Sequence, residues 1–404
     1  MTGPWIVTFL YGLLVATLVQ ADLRPPAVLN LGPEVIKEHL TQALRDHDAA
    51  AILHQLPLIS AVQERSGSMP LLNSLARSFL RFIIWMKVTS ANILQLAVHP
   101  SNYDQELIVR IPLDMVAGLN TPLVKTMVQF QMNTEIQALI RVEKSKSGPT
   151  RLNLSECSSS SNTLRLSLLN KLSFTLNSLA NNVMNLLVPA LPQMVKNHLC
   201  PVIQQAFNDV YDDFLRLATA PIALSPGALD FSLLSPAIQD SNIVFNLKAK
   251  LLDSQARVTK WFNSSVASQM ETTPDEAPFS LLVRQDLVNA IVDTLIPKEE
   301  LVILLRFVEA NYEARFFTES DRLMLNFHNI SIERIKLMVS DIKLFSPETM
   351  KGTLTTILEN TLLPNENGQL RTGIPMPMVK ALGYEKFVWS VNKGALKLTP
   401  DSSE

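Results

Sequence analysis

From Leu191 onward the apolar residues Leu191, Met194, Val195, Leu199, Ile203, Phe207, Val210, Tyr211, Phe214 and Leu217 recur in steps of three and four. Gln193, Lys196, Asn197, Gln204, Asn208, Asp209, Asp212 and Asp213 fall between them. That spacing lays one apolar stripe along a long helix whose opposite face is polar. Pro192 suits a first-turn position, whereas Pro201 removes a backbone donor inside the pattern, so a bend is expected there. The helical region reaches back to about Ser167 and is divided by Pro189 and Pro192.

Between Phe82 and Leu168 the period changes to two. Val128, Phe130 and Met132 alternate with polar neighbours, as do Ile136, Ala138, Ile140 and Val142, and then Leu164, Leu166 and Leu168. Turn signals at Pro100 to Tyr103, Gly118 to Pro122 and Ser145 to Pro149 separate these segments, which predicts an antiparallel meander with one buried face. The serines from Ser155 to Ser161, with Cys157 among them, read as a flexible loop before the last strand.

Ahead of the meander, Gly32-Pro33-Glu34 opens a helix with Val35, Ile36, Leu40, Ala43 and Leu44 on one face, ending near Asp46 to Asp48. Ser66 to Ser68 is a loop, and a second short helix follows Pro70. After the long helix the chain returns to strands over residues 218–265, most clearly at Phe245, Leu247, Ala249 and Leu251, and Ser264 to Pro278 reads as an exposed linker. Asp286 is placed to cap a helix carrying Leu287, Val288, Ile291, Val292 and Leu295, stopped at Pro297. Strands follow from Glu313 to Leu344, Ser346-Pro347-Glu348 starts a helix through Leu362, and the last strands lie between Gly373 and Leu398. Long helices with antiparallel strands, not alternating strand and helix, give an α+β class, and the two halves look like a distant internal duplication.

Charged residues make up 18% of the 404 positions, against roughly 25% in an ordinary soluble domain. The net charge of -2 and the absence of a Lys/Arg cluster interleaved with aromatics exclude nucleic acid as a partner, and the same balance opposes attack on membranes by a strongly cationic surface. Residues 1–21, MTGPWIVTFLYGLLVATLVQA, read as a secretory signal peptide cleaved before Asp22. Secretion makes Cys157 and Cys200 a disulfide pair, with two buried free thiols as the alternative. Asn153, Asn263 and Asn329 each open an N-glycosylation sequon.

Little points to catalysis. His39, His47, His54, His99, His198 and His328 show no metal-ligand spacing, so no metal or cofactor is expected. There is no G-x-S-x-G elbow, H-E-x-x-H or phosphate loop. Ser390 to Lys393 matches S-x-x-K only by chance in an alternating strand, and Asp212-Asp213 and Glu299-Glu300 are solvated helix charges. What remains is aliphatic surface. A curled sheet around a long Leu- and Met-rich helix is either an ordinary core or a slot for acyl chains, worth about 0.8 kcal/mol per buried CH₂.

The leader, the helix opening at Gly32-Pro33, and a two-cysteine framework with Cys157 after the meander and Cys200 on the long helix resemble the bactericidal/permeability-increasing protein (BPI) family. The run Leu362 to Leu370 followed by Gly373-Ile374-Pro375-Met376-Pro377 is similar to that family's closing helix-to-strand signature. The phrases Ile111 to Gly118 and Leu251 to Gln255 look most like its long palate, lung and nasal epithelium clone branch. The resemblance implies a boomerang of two barrel domains joined by a central sheet, with Cys157–Cys200 as the family's single disulfide. It implies a secreted, non-enzymatic protein of mucosal, airway innate defence that binds lipid or bacterial lipopolysaccharide, with peripheral membrane contact. Lipid transfer, or a surface-active or interaction role without ligand, are the alternatives.

On this reading Leu191, Val195, Leu199, Ile203, Phe207, Val210 and Phe214 line the N-terminal pocket. The domains are then residues 22–225, a central-sheet and linker segment 226–277, and residues 278–404. The last is about two thirds as long as the first, whereas family halves are similar, so the C-terminal domain is expected to be truncated where Arg306 and Phe307 run directly into Tyr312 to Phe317.

Overall fold

The computed structural model describes residues 24–62, 83–122, 127–144, 149–159, 164–169, 174–224, 227–265, 277–295, 308–335, 351–352, 355–356, 358–370, 373–392 and 394–401. The signal peptide, the Ser66 to Ser68 loop, the helix after Pro70, most of the Ser264 to Pro278 linker, the stop at Pro297, the junction at Arg306 and the helix start at Ser346 lie outside them. The chain forms two compact units, one of residues 30–216 and 235–244, the other of residues up to 29, 217–234 and 245–404.

In the first unit, helix α1 (Pro33–Asp46) starts where the sequence places it, with Pro33 in the first turn and the Ile36 N–H donating to the Gly32 carbonyl. Its apolar stripe buries Val35, Ile36, Leu40 and Leu44. Asp48, in the left-handed region at φ 50°, turns the chain into a short helix α2 (Ala49–His54).

The meander is a six-stranded antiparallel sheet of β2 (Trp85–Ile93), β3 (Ala97–Pro100), β4 (Glu106–Asn120), β5 (Val128–Glu143), β6 (Arg151–Ser159) and β7 (Arg165–Leu168). β4 and β5 pair without interruption from Glu106 opposite Arg141 to Leu119 opposite Val128. Val109, Ile111, Leu113 and Met115 of β4, with Phe130, Met132, Ile136, Ala138 and Ile140 of β5, are all buried on one face. Register is therefore fixed, because a one-residue slip would turn that whole set to water. Pro112 lies mid-strand, and its carbonyl accepts the Leu94 N–H at 2.9 Å where β2 gives way to β3, so the missing proline donor falls at a break in the neighbouring edge. At Gly118 an added Cβ would stand 2.7 Å from the Met127 sulfur and 3.2 Å from the Trp85 ring, so a larger residue there requires the methionine to move and the indole to give slightly.

One expectation is corrected. Ser155 to Ser159 are not a loop: they belong to β6, with Cys157 opposite Ala138 and Ser159 opposite Ile136. Pairing to the long β5 supplies the backbone bonds that a run of small polar side chains does not itself favour.

In the second unit the main sheet has the order β16-β17-β12-β1-β10-β9-β8, with β11 on β10. Its strands are β1 (Ala27–Leu31), β8 (Ile222–Ala223), β9 (Ala228–Gln239), β10 (Asn242–Leu252), β11 (Val258–Phe262), β12 (Phe279–Arg284), β16 (Phe387–Asn392) and β17 (Ala395–Pro400). Every residue of β1 and β12 is buried, which removes the alternation that would have announced them as strands. The buried Arg284 guanidinium clasps Asp286 through two bonds of 2.6 and 2.7 Å and donates at 3.1 Å to the carbonyls of Arg24 and Asn263. That clasp draws the Asp286 carboxyl below its ordinary value. Asp286 thus sits inside the first turn of helix α5 (Gln285–Leu295), bound to Arg284, and not at the capping position before it.

A three-stranded sheet of β13 (Val308–Glu319), β14 (Arg322–Ile335) and β15 (Ile374–Pro375) completes the described part of this unit. The family-like run folds as a π turn (Leu358–Leu362) and helix α6 (Leu363–Leu370). A short helix α7 (Pro377–Ala381), begun by Pro377, stands among the strands expected between Gly373 and Leu398. The Asn367 side chain accepts the Phe327 N–H at 2.9 Å and donates to the Phe327 carbonyl at 2.8 Å, imitating a strand neighbour for β14. Asn367→Ala removes both bonds and is expected to cost about 1–3 kcal/mol in chemical denaturation of the full chain. A denaturation curve superimposable on the wild type would show that the pair contributes nothing.

Candidate functional site

The long stripe folds as two helices, α3 (Phe174–Leu187) and α4 (Leu191–Ala218). Pro192 takes the first turn of α4, and Pro201 lies within a helix that continues past it, leaving the Asn197 carbonyl without its usual donor. Leu191, Val195, Leu199, Ile203, Phe207, Val210 and Phe214 are each 6% exposed or less, so the whole expected stripe faces the interior of the first unit. The chain continues into it from α3 through Ala180, Val183, Leu186 and Leu187, also buried.

Two bonds fasten α4 to the edge strand β6. Cys157 and Cys200 form a disulfide with their Cα atoms 5.9 Å apart. Farther along, the Tyr211 hydroxyl is hydrogen-bonded to the Leu152 backbone, with the Arg151 guanidinium 5.8 Å from the Tyr211 ring centroid. The helix rises about 16 Å over the eleven residues from Cys200 to Tyr211, and the bulged strand covers about 13 Å of its neighbour β5 between Leu152 and Cys157. With Cys200 bonded to Cys157 and Tyr211 to Leu152, the helix runs antiparallel to the strand. Tyr211 appeared in the sequence only as one more apolar residue. The signal for its second role was its spacing of three turns from Cys200, which puts both on one face.

Burial pushes the Tyr211 phenol above its ordinary value, opposed by the Leu152 bond and the Arg151 charge and assisted by Asp212. α1 joins the same helix on another side: His47 Nε2 and Asp209 Oδ2 are 2.7 Å apart, and the His39 and Phe214 rings are 5.0 Å apart at their centroids.

No charged side chain lies on the buried stripe of α4, and the buried face of β4 and β5 contributes Val, Leu, Ile, Met and Phe with Thr134 among them. Such an interior offers contact and exclusion of water. The histidines are scattered: His54 and His198 lie against the backbone carbonyls of Val88 and Met194, and His99 and His328 sit on β3 and β14. Among the described residues no three His, Cys, Asp or Glu side chains converge as metal ligands. Of the sequon residues, Asn153 lies on β6 with its amide donating to Glu143, Asn263 is exposed just after β11, and Asn329 is on β14 opposite Glu313.

Residues 44–210 match the model of the LBP/BPI/CETP family N-terminal domain, and residues 241–401 that of its C-terminal domain. BPI fold-containing family B member 1 of Mus musculus is 67% identical, and that of Homo sapiens 48%. Both alignments cover 100% of this chain, with 100% of the mouse and 98% of the human protein. They run over 474 positions against 404 residues here, so 70 aligned positions have no counterpart in this chain. The fold is similar to the crystal structure of lipopolysaccharide binding protein, at TM-score 0.55 and 12% identity over 93% of this chain and 98% of that one.

Replacing Cys157 and Cys200 by alanine opens a loop with a sequence separation of 43 and is expected to cost about 4 kcal/mol. Chemical denaturation with and without reductant reads this directly, and equal midpoints would refute it. The Tyr211 pKa is raised on folding, so its contribution is complete below about pH 10 and is lost as pH rises through the folded value. Tyr211→Phe should flatten that alkaline limb of the melting-temperature profile, and an unchanged limb would assign it to other groups.

Proposed function

The chain belongs to the LBP/BPI/CETP family, and from that premise we propose a secreted, non-enzymatic lipid-binding protein of mucosal innate defence. Its ligand is phospholipid or bacterial lipopolysaccharide, whose acyl chains lie beside α4 in the N-terminal domain. The observation that carries this reading is the stripe from Leu191 to Phe214: seven large apolar side chains, free of charge and buried. Each CH₂ taken from water into such surroundings contributes about 0.8 kcal/mol, so a buried acyl chain of about a dozen carbons gains roughly 10 kcal/mol before the cost of association.

The leader of residues 1–21 and the disulfide support export, and the three sequons offer glycan sites, of which Asn263 is the most exposed. The lipopolysaccharide binding protein that shares the fold supports the choice of ligand class. The ligand is assigned to residues 22–225, where that stripe lies.

Native mass spectrometry of the gently purified chain is expected to find a lipid-mass adduct. Ile203→Trp then separates a ligand-filled interior from a packed one. If lipid occupies the space, the larger side chain displaces it and stability changes little. If side chains already fill it, overpacking costs about 1–3 kcal/mol and no adduct is seen in either protein, which sinks the proposal.

A further inference from the structure

We propose that Asn367 is a deamidation site, and that its conversion irreversibly unlatches helix α6 from strand β14. Asn367-Gly368 is the only Asn-Gly step in the 404 residues. It lies inside α6 (Leu363–Leu370), with Asn367 half-buried and Gly368 exposed. A Cβ built on Gly368 meets no atom within 4 Å, and its backbone is not in the left-handed region. Neither space nor conformation therefore requires glycine here, and glycine in a helix interior is less stable than alanine. What Gly368 does supply is a backbone nitrogen that no side chain hinders, directly after a carboxamide.

Deamidation uses that nitrogen. The Gly368 nitrogen attacks Asn367 Cγ, the bond from Cγ to the side-chain nitrogen breaks, and ammonia leaves with the amide proton as a cyclic succinimide closes. Water then opens the ring at either carbonyl and gives aspartate or isoaspartate. Water is the sole co-reactant, and nothing is oxidised or reduced.

In the folded chain the latch holds this reaction back. The carboxamide oxygen accepts the Phe327 N–H at 2.9 Å and its nitrogen donates to the Phe327 carbonyl at 2.8 Å, so Cγ is fixed against β14. The helix ladder engages the Gly368 N–H at the same time. Reaction requires α6 to open, and α6 is a weak helix: eight residues long, preceded by a π turn at Leu358–Leu362, with Pro364 in its first turn and glycine in its interior. Such segments open locally at little cost. The aspartate formed still accepts from the Phe327 N–H. Ionised at neutral pH, it has no hydrogen to give the carbonyl and sets a negative charge against it. Isoaspartate adds a methylene to the backbone and carries the carboxylate out of register with β14. Each opening that ends in reaction thus replaces the latch by a repulsion.

The test ages the full chain at neutral pH and body temperature, with and without denaturant, and follows the Asn367 peptide by mass spectrometry. The native chain is expected to convert, severalfold more slowly than the denatured one. Gly368→Ala, whose added methyl meets open space, should slow conversion in denaturant severalfold and keep its denaturation midpoint on ageing, which controls for changes elsewhere in the chain. Asn367→Asp should lower the midpoint, and wild type converted after folding should show the same loss whether or not that variant folds. Equal rates in native and denatured chains overturn the proposal, as does a native chain left unconverted when the denatured chain is fully converted. So does a wild-type rate in Gly368→Ala, or an unshifted midpoint in converted wild type.

Discussion

The antiparallel seating of α4 on β6 is the constraint on which the first unit depends. A helix of 28 residues has many ways to lie across a curled sheet, and its apolar stripe alone does not choose among them. A covalent bond at Cys200 fixes one point. The Tyr211 hydroxyl on the Leu152 backbone fixes a second about three turns away, and two points define a line. Once the axis is set, the residues from Leu191 to Phe214 all face the same interior, and the contacts of His39 and His47 seat α1 against the same helix. The edge strand gains as well: β6 has β5 on one side only, and the helix bonded to it limits the freedom of an edge rich in serine.

Where the sequence carried strong periodicity, it was legible. The 3.6-residue stripe of α4 and the two-residue alternation of β4 and β5 identified their elements because each has one wet face and one dry face. β1 and β12 were not legible, since strands buried on both faces carry no contrast. β6 was missed for the opposite reason: its end is polar and small, and becomes strand only through the partner β5 offers. The α+β class and the disulfide pairing followed from the sequence, whereas the clasp of Arg284 and the double bond of Asn367 did not. Those depend on which backbone groups are left without a neighbour, a property of the assembled sheets.

Those two side chains have a common role. Arg284 gathers the carbonyls of Arg24 and Asn263, from segments far apart in the chain, and compensates its own buried charge with Asp286. Asn367 offers β14 the donor and acceptor that another strand would have offered. A buried arginine without its carboxylate would be strongly unfavourable, so Arg284 and Asp286 act as a unit and their spacing of two residues keeps the compensation local. In a unit whose smaller sheet has three described strands, side chains that complete backbone bonding take over work that extra strands perform in the first unit.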